Sequence, residues 1–125
     1  MQDVMLAIYK AVKNSEAAEM FAGIYNNRKA PDDTVWPRLT MFEVRVSDGT
    51  YADDRPLTTL TYARLDIWSK QNNLFELSKA VKKAIEDAFD MCKVELKQDM
   101  YEETESGRDT GIYHKPIDVT IRTEQ

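Results

Sequence analysis

The segment "NLFELSKAVKKAIEDAFDMC", residues 73–92, constrains the fold more than any other part of the sequence. Its apolar residues recur at helical spacing on one face, and charged residues fill the opposite face. The apolar set is Leu74, Leu77, Val81, Ala84, Ile85, Ala88, Phe89 and Cys92. The pattern predicts a helix over about 73–91. Because such a stripe has to be buried against other elements, the rest of the chain must supply an apolar surface.

Strand-like segments precede this helix. They are "RLTMFEVRVS" at 38–47 and "LTTLTYARLDIWSK" at 57–70. Asp48 and Gly49, a strong turn dipeptide, follow the first of them, so we expect an antiparallel hairpin. In the first strand Phe42, Val44 and Val46 share one parity, whereas Leu39 and Met41 have the other. The change predicts a β-bulge near Met41 or burial of both faces at the strand's start.

Two strands follow the helix, one over about 93–102 with Val94 and Leu96 inward and one over about 112–123 with Ile117, Val119 and Ile121 inward. The segment "EETESGRDTG" between them has the composition of a mobile hairpin loop. At the N-terminus the pattern predicts a helix over 3–13 and a second short helix capped by Ser15 and closed by a left-handed Gly23. The element order is ααββαββ. We therefore predict an α+β fold, an antiparallel sheet of two β-hairpins packed against a long amphipathic helix, with a short N-terminal helix pair.

Length and charge exclude several classes of protein. A chain of 125 residues fits one domain, residues 1–125. The net charge of -5 disfavours sequence-specific binding to nucleic acid. The single cysteine fits a reducing compartment, and no apolar run approaches the length of a membrane span. We expect a cytoplasmic protein that does not bind membranes.

The sequence contains no recognisable catalytic constellation. Cys92 and His114 are the one available combination of a nucleophile with a general base. The pattern places Cys92 on the buried helix stripe and His114 on an exposed strand. The four glycines are scattered and form no phosphate-binding loop. Neighbouring acidic residues point to different sides and do not converge on a cation. We expect no catalytic, metal or cofactor-binding residue, no cofactor and no enzymatic activity.

Ordered landmarks along the chain resemble those of a known family. They are "GIYNNRKAPDD", "WPRLTMFEV", "RPLTTLTYARLDIWSKQNNLFELSKAVKKAIEDAF" and "YHKPIDVTI". Over nearly its whole length the chain resembles the phage tail completion proteins, also called tail-to-head joining proteins, of tailed phages and prophages. The positions that carry the resemblance most clearly are Pro31 and Pro37 in a loop, and Asp66 and Trp68 near a strand end.

The resemblance implies a structural protein of the virion, made in the host cytoplasm and located at the head–tail junction. It implies that the chain is a ring subunit joining the connector to the tail tube. Its partners would be other copies of itself, the head connector or head-closure protein, and the tail tube protein. A small acidic binding module, acting as a phage-encoded regulator or inhibitor of a host protein, is the alternative that the sequence leaves open.

Under this resemblance the irregular segment 25–37 is a protein-interaction loop. Its residues of interest are Tyr25, Arg28, Pro31, Asp32, Asp33, Trp36 and Pro37. A second loop, at 48–56, is acidic and would face the DNA channel or dock on a neighbour. Its residues are Asp48, Tyr51, Asp53, Asp54 and Arg55. A solvated loop is the alternative there, and Trp36 and Trp68 either mark an interaction surface or complete the core.

Overall fold

The computed structural model describes residues 3–30, 35–49, 51–52, 55–103 and 109–124. This part of the chain forms two α-helices, one 3-10 helix and eight strands. In chain order they are α1 (Val4–Lys13), a 3-10 helix (Glu16–Met20), β1 (Gly23–Tyr25), β2 (Arg38–Asp48), β3 (Tyr51–Ala52), β4 (Arg55–Pro56), β5 (Thr58–Ser69), α2 (Leu74–Ala88), β6 (Cys92–Leu96), β7 (Met100–Glu103) and β8 (Asp109–Glu124). The predicted α+β class is confirmed.

The main sheet has the strand order β1-β2-β5-β8-β6, with β7 also paired to β8. All of its pairs are antiparallel except that β1 runs parallel to β2, from Gly23 beside Arg38 to Tyr25 beside Thr40. The sheet is therefore mixed, and the expectation of a purely antiparallel sheet is wrong. Residues 23–25, predicted to lie at a helix end and in a loop, gain backbone hydrogen bonds by joining the edge of β2.

The core lies between one face of this sheet and the helices. Leu65 and Ile117 are neighbours across β5 and β8 and are fully buried, as are Ile8 of α1 and Ile85 of α2. Alternate residues of each strand point to this inner face, which explains why Ile117, Val119 and Ile121 are all buried as predicted.

α2 is shorter than the predicted helix and has 15 residues. It ends at Ala88, because Phe89 adopts an extended conformation with φ -126° and ψ 126°. Cys92 does not continue the helical stripe but begins β6. The main-chain nitrogen of Arg122 donates to the carbonyl of Met91 at 3.0 Å, so pairing with β8 takes over where the helix stops.

The N-terminal helix α1 begins as predicted. The Asp3 side chain accepts a hydrogen bond from the main-chain nitrogen of Leu6 at 3.1 Å, which satisfies one free donor of the first turn. The second helix is a 3-10 helix, and Ser15 caps it by accepting from Ala17. Gly23 does not close this helix in a left-handed conformation, because it is already part of β1.

The irregularity of β2 has two sources. Leu39, Thr40 and Met41 are all buried, so both faces are covered at the strand's start, as one of the two expectations had it. The bulge lies between Glu43 and Arg45 and not near Met41. Phe42 lies opposite Arg64 and Val46 lies opposite Thr61 on β5. Arg64 and Thr61 are three positions apart and point to opposite faces, so the bulge places Phe42 and Val46 on opposite faces of the sheet.

The connections differ from those of two simple hairpins. The segment after β2 contains the two-stranded sheet of β3 and β4. The predicted strand 93–102 is two strands, β6 and β7, which pair with different halves of β8.

β8 starts at Asp109, so part of the predicted loop 102–111 is strand, with Gly111 at a positive φ of 77°. Residues 104–108 of that loop lie outside the described residues.

The burial of α2 predicts that Ile85→Ala destabilises the protein by about 2–5 kcal/mol, since it removes a fully buried side chain and leaves a cavity. Phe75→Ala is the matched control, because Phe75 lies on the same helix and is 65% exposed. It should change the free energy of unfolding by less than about 0.5 kcal/mol. Urea unfolding followed by circular dichroism measures both. Equal losses of stability would contradict the described orientation of α2.

Candidate interaction site

A second buried cluster lies on the outer face of the sheet, opposite the helices. It contains Thr40 of β2, Asp66 and Trp68 of β5, and His114 of β8, of which all but Trp68 are buried. Thr40 lies opposite Asp66, and Trp68 lies opposite His114. Because their chain neighbours Leu39, Met41, Leu65 and Ile67 point into the core, the alternation of a strand turns this set outward.

Hydrogen bonds and ring stacking hold this outer cluster together. His114 Nε2 and Asp66 Oδ1 lie 2.7 Å apart. The imidazole stacks on the indole of Trp68, with 3.8 Å between ring centroids and 6° between planes. Trp68 Nε1 donates to Thr40 Oγ1 at 3.2 Å. The prediction of a solvated His114 is therefore wrong, since the residue is only 8% exposed and contacts Asp66 and Trp68 of β5.

Beside this cluster, two cations share one tryptophan ring. The guanidinium carbon of Arg38 lies 4.1 Å from the centroid of the Trp36 ring, and Lys70 Nζ lies 5.1 Å from it. Trp36 is half-buried, and the peptide bond that links it to Pro37 is cis. We call these three residues, Trp36, Arg38 and Lys70, the Trp36 cluster. Cations above an indole face are attracted by its π-electrons, so the ring fixes both side chains.

The structure places part of the predicted interaction loop along β2. Tyr25 belongs to β1 and lies beside Thr40, and the guanidinium of Arg28 lies 4.7 Å from the Phe42 ring centroid. Trp36 and Pro37 are half-buried just before β2. Pro31, Asp32 and Asp33 lie outside the described residues.

The second predicted loop begins at the other end of β2. Asp48 is the last residue of that strand and is exposed, while Tyr51 and Arg55 belong to β3 and β4. Asp53 and Asp54 lie outside the described residues. β2 is 11 residues long, so Pro37, just before its start, lies roughly 35 Å from Asp48. Phe42, beside Arg28, lies roughly 20 Å from Asp48. The two loops therefore form distinct surfaces.

An outer-face groove of about 330 Å³ lies between these ends and was not predicted from the sequence. Arg64 and Asp118 form an ion pair at 2.6 Å across β5 and β8, and Lys97 Nζ lies 3.4 Å from Asp118 and 3.1 Å from Glu95. The hydrogen bond to Asp118 raises the pKa of Arg64. These four charges neutralise one another as surface ion pairs, whereas Arg45 and Lys93, which also line the groove, add positive charge.

The structure separates the two candidate catalytic residues. Cys92 lies opposite Ile121 of β8, seven positions from His114, which corresponds to roughly 23 Å. Burial raises the pKa of the Cys92 thiol, which is the opposite of what a nucleophile requires. Within the described ranges no three His, Cys, Asp or Glu side chains are grouped so that they could hold a metal ion. None of the helices in those ranges is long and apolar enough to cross a membrane.

Comparison with known proteins shows similarity to a family model and to solved structures. A family model described as "Tail completion protein gp17" matches residues 6–124. No curated protein matches the chain. Among solved structures, the fold is similar to that of a chain in "Virion of native gene transfer agent (GTA) particle", with a TM-score of 0.60 and 14% sequence identity. That match covers 98% of this chain and 95% of the other.

Removing the carboxylate of the outer cluster should destabilise the protein. Asp66→Ala eliminates the buried hydrogen bond to His114, and we expect a loss of about 1–3 kcal/mol because a buried polar nitrogen loses this partner. Asp87→Ala is the control, since it breaks the exposed ion pair with Lys83 and should leave the unfolding midpoint unchanged. Chemical unfolding compares the two variants. An Asp66 variant as stable as the control would contradict a structural role for the pair.

Proposed function

The chain belongs to the phage tail completion protein family, and from this premise we propose that it is a ring subunit at the head–tail junction that joins the head connector to the tail tube. The observation that carries the proposal is the family match over residues 6–124, which includes every described strand and all of the described helical residues except the first two of α1. Membership makes the protein a structural component of a phage particle.

The surfaces of the molecule support a role in assembly. A ring subunit that also joins two larger structures needs more than one contact surface, and the two predicted loops lie at opposite ends of β2. The segment 25–37 serves as a protein-interaction surface built around Trp36, an amino acid that is enriched at protein contacts. The partners are other copies of the chain, the head connector or head-closure protein, and the tail tube protein.

The acidic loop at 48–56 serves as a channel-facing or docking surface. Each neutralised phosphate adds affinity, so a conduit for DNA has to avoid cationic contacts. Three of the ten residues of "SDGTYADDRP" are aspartates and one is an arginine, which gives the loop the charge that repels DNA.

Ring formation on tail tubes tests the proposal. Purified protein mixed with tail tubes of the phage that encodes it should form a ring at the tube end, seen by electron microscopy. Alone it should sediment as a monomer or a weakly associated species, because ordered assembly needs subunits that stay apart until the template is present. Bare tube ends would contradict the proposed function. A stable ring without tubes would contradict only its dependence on the template.

Charge reversal tests the channel-facing loop. Replacing Asp48, Asp53 and Asp54 together with lysine should slow DNA ejection, and added salt should relieve the effect, because the new cations bind phosphates. Replacing the same residues with asparagine is the control, which should eject DNA at nearly the normal rate. Particles that fail to join head to tail would make the loop a docking surface. Normal ejection by the lysine variant would exclude both roles.

A further inference from the structure

The Trp36 cluster carries positive charge that the described part of the chain does not neutralise. Arg38 and Lys70 lie over the same indole ring, and neither forms an ion pair with any described residue. The Nη1 atom of Arg38 is buried and has no hydrogen-bond partner. A buried donor without a partner costs free energy, and two like charges beside one ring repel each other. A carboxylate bound beside the two cations would offset their repulsion.

Two of the described carboxylates at this end of the sheet are already paired. Asp66 is paired with His114 at 2.7 Å, and Asp99 is paired with Lys115 at 2.5 Å. Glu76, on the first turn of α2, is not within ion-pair distance of Lys70. Within the described residues no carboxylate neutralises the Trp36 cluster, so the cluster is open to a carboxylate of another molecule.

The opposite end of the same molecule carries the complementary charge. Glu86 and Asp90 lie near the C-terminal end of α2, are exposed, and form no ion pair within the described residues. The strand register fixes their distance from Lys70. Ser69 lies opposite Tyr113 of β8, whereas the Met91 carbonyl accepts from Arg122. Nine positions along β8 correspond to roughly 30 Å.

We propose that the Trp36 cluster of one copy binds the carboxylates of Glu86 and Asp90 in the next copy. Arg38 presents a planar fork suited to a carboxylate, and Lys70 supplies a second charge. A contact between different ends of identical subunits is heterologous and generates a ring when the rotation closes. The inference rests on the proposed ring and names the residues that join its subunits. The acidic loop after Asp48 remains available, because β2 and β6 are separated by β5 and β8.

Charge reversal in trans tests the contact on tail tubes. Lys70→Glu alone, or Glu86→Lys with Asp90→Lys, should reduce the number of rings at tube ends by about tenfold or more, since like charges then face each other. An equimolar mixture of the two variants should restore the rings, because the reversed ends attract each other and the unchanged ends still fit. Lys79→Glu is the matched control, since Lys79 lies on α2 with its Nζ 5.0 Å from the Phe75 ring centroid and should tolerate the change.

The outcomes separate this inference from the proposed function. Equal unfolding midpoints show that each variant is folded, and all of the altered positions are exposed. If the wild-type protein forms no ring on the tail tubes, both the proposed function and the proposed contact between copies are wrong. If the wild-type protein and both charge-reversal variants form rings equally well, the proposed contact is wrong and the proposed ring stands. Loss of rings without rescue in the mixture assigns the Trp36 cluster to a different protein and overturns the pairing of two copies.

Discussion

The antiparallel pairing of β5 with β8 is the constraint on which the rest of the structure depends. It runs without a break from Thr58 beside Glu124 to Ser69 beside Tyr113. On the inner face it brings Leu65 against Ile117 in the core, and on the outer face it brings Trp68 against His114. A slip of one residue would exchange the two faces, burying charges and exposing the core, so the apolar set holds the register firmly.

The same ladder gives the two faces and the two ends different properties. The inner face binds the helices through apolar packing, and the middle of the outer face carries ion pairs that neutralise one another. Charges of opposite sign lie at the two ends, cationic around Trp36 and acidic near the C-terminal end of α2. A subunit with this layout is suited to end-to-end contact with copies of itself, because the attraction is between unlike surfaces.

The candidate interaction site could be predicted only in part. The resemblance to the tail completion proteins drew attention to Trp36, Asp66 and Trp68, and the structure places all of these at one end of the sheet. Arg38 and Lys70 were not predicted as site residues. Arg38 follows Trp36 by two positions, and residues at this spacing share one face of an extended chain. That spacing could have indicated that Arg38 lies beside Trp36. Nothing local indicated Lys70, whose contact with the Trp36 ring depends on strand pairing.

The sequence by itself determined the features that depend on nearby residues: α1 with its Asp3 cap, the apolar stripe of α2, the inward residues of β8 and the α+β class. These follow from periodicity and capping, which act over a few residues. Only the tertiary structure decided the early end of α2, the bulge of β2, the parallel β1 and the burial of His114. Each depends on a partner many positions away, and the register that supplies this partner results from packing the whole sheet against the helices.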